Sequence, residues 1–262
     1  MIQTVKRRVQ IFLLVASTAL SIILYVLIQT VEHPVQVFVL AVVLPVLSII
    51  LYLLTQLSIP TILTYPWPSP SPSCERKTSS SDLKTEVVLA GSYNPPHYGH
   101  LEMITYLARR YKKVHVVIGM NPNKDYAVTP VQRAKLLERM VDAKLAEEWK
   151  CKVKVEVVSD YIWRYAKSNG AKILFRGIRT WEQDGLEEQS LHKLNLWGPL
   201  VVGLTWPLQT RYMEGKPEYV GISSTSIRNL CSTKKKEECL KALESFTPKE
   251  IVSDVYNAYG SI

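Results

Sequence analysis

Cysteine is scarce in this chain: four in 262 residues, none in a CxxC pair, which excludes both a disulfide framework and a cysteine-built metal site. Cys74, Cys151, Cys231 and Cys239 therefore read as inert thiols of a reducing compartment. Acidic residues are the minority, 23 Asp and Glu against 32 Lys and Arg, for a net charge of +9. Yet the cations never gather: the densest run, Lys234-Lys235-Lys236, meets Glu237-Glu238 at once. The clustered basic and aromatic pattern of a nucleic-acid binder is missing, and no nucleic-acid partner is expected. No internal repeat is apparent, which excludes a solenoid.

Charge is absent altogether from residues 9–31 and again from residues 35–60. At about 1.5 Å per residue, either run is long enough for a helix to cross a hydrocarbon core of about 30 Å. Glu32-His33-Pro34 breaks them, so residues 1–63 are expected to form a membrane anchor of two transmembrane helices. Lys6, Arg7 and Arg8 precede the first run, Arg76, Lys77 and Lys84 follow the second, and the turn carries no cation. That asymmetry predicts a multi-pass protein whose catalytic part faces the cytosol. A cleaved signal peptide is a poor fit, because the first run exceeds about 7–15 residues and a second follows it. A mitochondrial presequence would be amphipathic and serine-rich, which this amino terminus is not.

Residues 64–83 carry Pro66, Pro68, Pro70, Pro72 and Ser79-Ser80-Ser81 and read as an extended linker. From residue 84 to 262, short β-branched runs alternate with longer amphipathic stretches. Strands are expected at 87–90, 114–118, 153–158, 171–175 and 200–206. Helices are expected at 99–110, from the Thr129-Pro130 cap to about Trp149, at 161–168 ending on Asn169-Gly170, at 182–194, and after Ser224 and Pro248. Such alternation predicts an α/β fold with a doubly wound parallel sheet, whose ligands gather at the carboxyl ends of the strands.

Four groups of unusual residues fall at such ends. Gly91-Ser92-Tyr93-Asn94-Pro95-Pro96-His97-Tyr98-Gly99-His100 leaves a strand and enters a helix, where free N–H groups and two imidazoles suit a phosphate. Ile222-Ser223-Ser224-Thr225-Ser226-Ile227-Arg228 is a second turn of hydroxyl residues opening a helix. Arg176-Gly177-Ile178-Arg179 sets two guanidinium forks directly after a strand. Lys124, in Asn121-Pro122-Asn123-Lys124, lies just past another strand end.

The first segment resembles the (H/T)xGH signature of the nucleotidyltransferase superfamily, and the second its ISSTxIR element. Arg176-Gly177-Ile178-Arg179 resembles the RGLR element of the pantetheine-phosphate adenylyltransferases, and Tyr161-Ile162-Trp163-Arg164 occupies the place of their acceptor-binding helix. The resemblance implies in-line attack of an acceptor phosphate on the α-phosphorus of ATP, with Mg²⁺ accompanying the nucleotide and no covalent enzyme intermediate. It implies His97, His100, Lys124 and Arg179 as catalytic residues. Around ATP it implies Ser92, Tyr93, His100, Gly177, Ile178, Arg179, Glu187 or Glu188, Ser223, Ser224 and Thr225. Around a 4'-phosphopantetheine acceptor it implies Ser92, Lys124, Ile162 and Arg176, and it implies a homo-oligomer. Two features depart from the pattern: Gln183-Asp184-Gly185-Leu186 stands where the family has a DFE-type stretch, and the loop 207–220 is long. Nicotinamide mononucleotide as acceptor, or a domain that binds nucleotide without catalysis, remain the alternatives.

Overall fold

The computed structural model describes residues 42, 45–47, 49, 50, 61–63, 80–120, 126–219 and 221–260. The chain divides into two compact units, Met1–Ile59 and Pro60–Ile262. In the first, residues 45–47, 49 and 50 are helical. Among the described residues no helix is long and apolar enough to cross a membrane, which overturns the expected two-span, multi-pass arrangement with its cytosol-facing domain. Most of the two uncharged runs, and Cys74, lie outside the described residues. The expectation rested on missing charge, which sets only the reach of a helix. A span also needs one long continuous helix, and among the described residues of this unit only 45–47, 49 and 50 are α-helical.

The second unit is built on a parallel sheet. Its strands are β1 (Thr61–Leu63), β2 (Glu86–Gly91), β3 (Lys113–Gly119), β4 (Val153–Val158), β5 (Ile173–Ile178) and β6 (Gln209–Glu214). They lie in the order β1-β6-β5-β2-β3-β4. Residues 61–63, assigned to the anchor from sequence, thus pair with β6 at the edge of this sheet. The helices are α1 (Tyr98–Arg110), α2 (Pro130–Lys144), α3 (Glu147–Lys150), α4 (Ile162–Ser168), α5 (Trp181–Val201), α6 (Ser224–Thr233), α7 (Lys236–Leu243) and α8 (Lys249–Tyr259). Because side chains alternate along a strand, Val87 and Leu89 enter one core with Ile104, Leu107 and Met140, while Val88 and Ala90 enter another with Trp163 and Ala166. Helices thus cover both faces of the sheet.

Two local signals behave as expected. Thr129 Oγ1 accepts from the backbone N–H of Gln132 at 3.3 Å, and Pro130 opens α2. Gly170, at φ +72°, closes α4, with its N–H on the Lys167 carbonyl at 3.1 Å and that of Ala171 on Ala166 at 2.9 Å. Elsewhere the boundaries moved. α2 stops at Lys144 and α3 is a separate turn, so the single helix to Trp149 is two. The expected strand at 200–206 does not form: α5 runs on to Val201, and the strand is β6. An apolar run invites a strand only if the sheet can bury it. Val201, Val202 and Leu204 are 71, 57 and 89% exposed, whereas Tyr212 and Met213 are fully buried beside β5.

A candidate active site at the switch point of the sheet

The chain runs from β2 outward to β4 and then crosses back to β5 on the other side of β2. Parallel sheets open a crevice at the carboxyl ends where the winding reverses, here between β2 and β5. Register sets Ala90, near the end of β2, opposite Arg176 on β5. The histidine turn and the arginine pair therefore share one rim. Ile162, at the start of α4, comes to the same rim, since its Cδ1 would lie 3.3 Å from a Cβ added at Gly119, the last residue of β3.

The turn after β2 is tightly held. Tyr93 is buried at positive φ (46°), its hydroxyl donating to the Leu89 carbonyl at 3.1 Å. Its ring meets the edge of His100 at 4.8 Å, and His100 stacks on His97 at 3.7 Å between centroids. A Cβ at Gly99 would stand 3.2 Å from the His97 ring, so glycine there makes room for the imidazole. The backbone N–H of His97 donates to His100 Nδ1 at 3.3 Å, which leaves the proton of a neutral His100 on Nε2. Burial lowers the pKa of His97 to about 4, and burial together with the neighbouring His97 holds His100 well below the usual imidazole range. At neutral pH both rings are uncharged hydrogen-bond donors.

The hydroxyl turn is tied to this one across the chain. Ser223 caps α6, accepting from the N–H of Ser226 at 3.0 Å. Ser224 Oγ donates to the Pro95 carbonyl at 2.8 Å, and Arg228 donates to the Asn94 carbonyl at 2.5 Å and to Thr225 Oγ1 at 3.0 Å. From α8, the Tyr259 hydroxyl donates to Asn94 Oδ1 at 2.6 Å. A cavity of about 710 Å³ opens between these segments, lined in part by Ser92, Tyr126, Thr225, Arg228 and Tyr259.

The arginines differ in setting. Arg176 is largely buried and donates a two-pronged bond to the Glu188 carboxylate, Nε at 2.9 Å and Nη2 at 2.6 Å, with Nη1 donating to the Ala90 carbonyl at 3.0 Å. Burial works against its charge, but the Glu188 carboxylate outweighs that and holds the pKa above its ordinary value. Arg179, with 45% of its side chain exposed, pairs with Asp184 at 2.5 Å, and this bond raises its pKa. Gly177 and Ile178 lie between them in β5.

The sequence left Glu187 and Glu188 undecided. Glu188 faces inward onto Arg176, while Glu187 is exposed and close enough to add to the field at Arg179. Ser92 is exposed at the rim, and Lys124 lies outside the described residues. Among the described residues no group of three or more His, Cys, Asp or Glu gathers that could hold a metal ion. Sequence reasoning assigned nothing to Asn94, Arg133, Asp184, Arg228 or Tyr259. Arg228 lay inside a quoted motif and could have been taken from it, whereas Tyr259 approaches Asn94 from 165 residues away and had no local signal.

Known proteins agree with the site's character. Residues 88–230 match the family described as Cytidylyltransferase-like. The phosphopantetheine adenylyltransferase of Aquifex aeolicus is 30% identical over 147 residues, 56% of this chain and 82% of that protein. Its namesake in Synechococcus sp. is 30% identical over 53% of this chain and 80% of its own length, and that of Streptococcus pneumoniae 29% over 65% and 94%. Among solved structures, the Plasmodium falciparum nicotinic acid mononucleotide adenylyltransferase complexed with NaAD aligns at a TM-score of 0.46 and 12% identity, over 66% of this chain and 98% of that one. That likeness is too loose to speak for an acceptor. With more than half of its length matched by the family pattern, and its histidine turn inside that match, the chain belongs to the cytidylyltransferase-like family.

Proposed function

We propose that this protein is an adenylyltransferase that moves AMP from ATP to 4'-phosphopantetheine, giving dephospho-coenzyme A and pyrophosphate. The observation that carries the reading is the adjacency of β2 and β5, which brings His97 and His100 to the rim from which Arg176 and Arg179 emerge. The sequence relatives named phosphopantetheine adenylyltransferase support the choice of acceptor. We assign the transferase to residues 84–262, with residues 64–83 as its leading linker.

In this reaction an oxygen of the acceptor phosphate forms a bond to the α-phosphorus as the bond to the bridging oxygen breaks, and the electron pair leaves with pyrophosphate. No enzyme nucleophile is needed; positioning and charge stabilisation carry the rate. His100 and His97 donate to the oxygens on which charge grows, and their neutrality suits donation without a proton transfer. Ser92, Lys124 and Arg176 hold the acceptor phosphate, and Ile162 packs on the acceptor's arm. Arg179, the backbone of Tyr93, Gly177 and Ile178, and the Ser223, Ser224 and Thr225 turn hold ATP, with Glu187 rather than Glu188 at its sugar or base. Mg²⁺ carried by ATP itself would share the charge of its phosphates. Arg176 retains two of its five N–H groups for a phosphate, since Glu188 and Ala90 engage three.

The test offers the full-length protein ATP with 4'-phosphopantetheine or nicotinamide mononucleotide and follows pyrophosphate. Release with the first acceptor and not the second is expected. Release with nicotinamide mononucleotide alone, or with neither, overturns the proposal.

A further inference from the structure

Arg133 is fully buried, and among the described residues it is the largest side chain so placed. It stands four residues after the Thr129 cap of α2 and reaches under the turn that follows β2. Its Nη1 donates to the Ser92 carbonyl at 2.5 Å, and its guanidinium lies 4.3 Å from the centre of the Tyr126 ring. Nε and Nη2 are buried without a hydrogen-bond partner among the described residues. The ionisable groups felt there are two phenols, Tyr259 and Tyr126, and burial lowers the arginine's pKa. An arginine nonetheless stays charged in a protein.

A buried cation with no carboxylate partner among the described residues is an expensive way to fill a core. Its place in the opening turns of a helix adds the unfavourable positive end of the helix dipole. For packing alone, methionine would fill the same depth at lower cost. The arrangement becomes favourable once anions sit nearby. Ser92, whose carbonyl Arg133 bonds, and Tyr126, whose ring its guanidinium faces, both line the cavity that also exposes Ser224, Thr225 and Arg228.

We propose that Arg133 is a positioning residue for the transfer: from beneath the rim it fixes the Ser92 carbonyl and adds positive potential to the phosphate-binding cavity, stabilising the loaded site rather than the fold. The inference rests on the adenylyltransferase reading. Full-length Arg133→Met and Arg133→Lys are compared with the parent for melting temperature, kcat, KM for ATP and pyrophosphate affinity. Arg133→Met should melt no lower than the parent, bind pyrophosphate about tenfold more weakly, and lose about 30-fold or more in kcat. Arg133→Lys should regain much of the pyrophosphate affinity because its charge returns, with kcat still below the parent because an ammonium lacks the planar fork. An Arg133→Met protein that melts well below the parent, or that keeps the parent's pyrophosphate affinity, overturns the proposal. A parent that releases no pyrophosphate from ATP would sink the adenylyltransferase reading instead, and the melting and pyrophosphate measurements would still decide the role of Arg133.

Discussion

The two sides of the crevice achieve readiness for phosphate by opposite means. On the β2 side, His97 and His100 are packed into a buried turn and kept neutral, and the turn is braced from distant elements by Ser224 and Arg228 on its backbone carbonyls and by Tyr259 on the Asn94 side chain. On the β5 side, Arg176 and Arg179 stay charged, each held by a carboxylate two to three turns along α5 or at its start. One side depends on desolvation and the other on charge pairing. In the proposed reaction, a phosphate between them would meet neutral donors from β2 and, from β5, cations already shared with Glu188 and Asp184.

The largest effect should separate these roles. Replacing His100 with Ala removes a donor whose value appears as charge develops, so kcat should fall by about a thousandfold, about 4 kcal/mol, with little change in KM for ATP. Steady-state kinetics check this, and an equal loss in ATP affinity would make His100 a binding group like the arginines. On the other side, Glu188→Ala leaves the Arg176 guanidinium buried and unpaired, and urea unfolding should register a loss of about 3 kcal/mol or more.

A pH series tests the desolvated side directly. His97 titrates near 4 in the fold against about 6.5 when unfolded, so the unfolded chain takes up its proton first as pH falls. The stabilising contribution is complete above about pH 6.5 and drains away towards pH 4, amounting to about 3 kcal/mol at most. Unfolding measured between pH 7 and 4.5 should show a slope of this sign, and His97→Asn should reduce it, leaving the part that the buried His100 contributes. An unchanged slope in the variant would mean that burial of His97 is not its origin. The smallest effect is expected at Asp184→Asn. Its pair with Arg179 is partly exposed, so stability should shift by no more than about 1 kcal/mol while KM for ATP changes through a freed Arg179. A loss as large as that of Glu188→Ala would erase the contrast between the two arginines.

What was legible in the sequence divides along similar physical lines. Thr129-Pro130 and Asn169-Gly170 announce helix ends because caps act through neighbours in sequence, and the histidine and arginine motifs stand out because each lies at the carboxyl end of a strand, although Arg176 to Ile178, expected after that strand, are its last residues. The position of β6 was not legible: residues 200–206 and 209–214 are both partly apolar, and only the sheet decides which is buried. Nor could local pattern show that Glu188 turns inward to Arg176 while Glu187 faces solvent, or that Tyr259 reaches Asn94. The uncharged runs before residue 60 lie mostly outside the described residues, and among the described residues no helix is long and apolar enough for the span that missing charge invited.

In the proposed reaction the α-phosphorus is the atom attacked, within the crevice between β2 and β5. ATP labelled in its α-phosphate, incubated with the full-length protein and 4'-phosphopantetheine, tests this most directly. The label should appear in dephospho-coenzyme A and stay out of the released pyrophosphate. Label left entirely in ATP, or recovered anywhere but in the acceptor product, would contradict it.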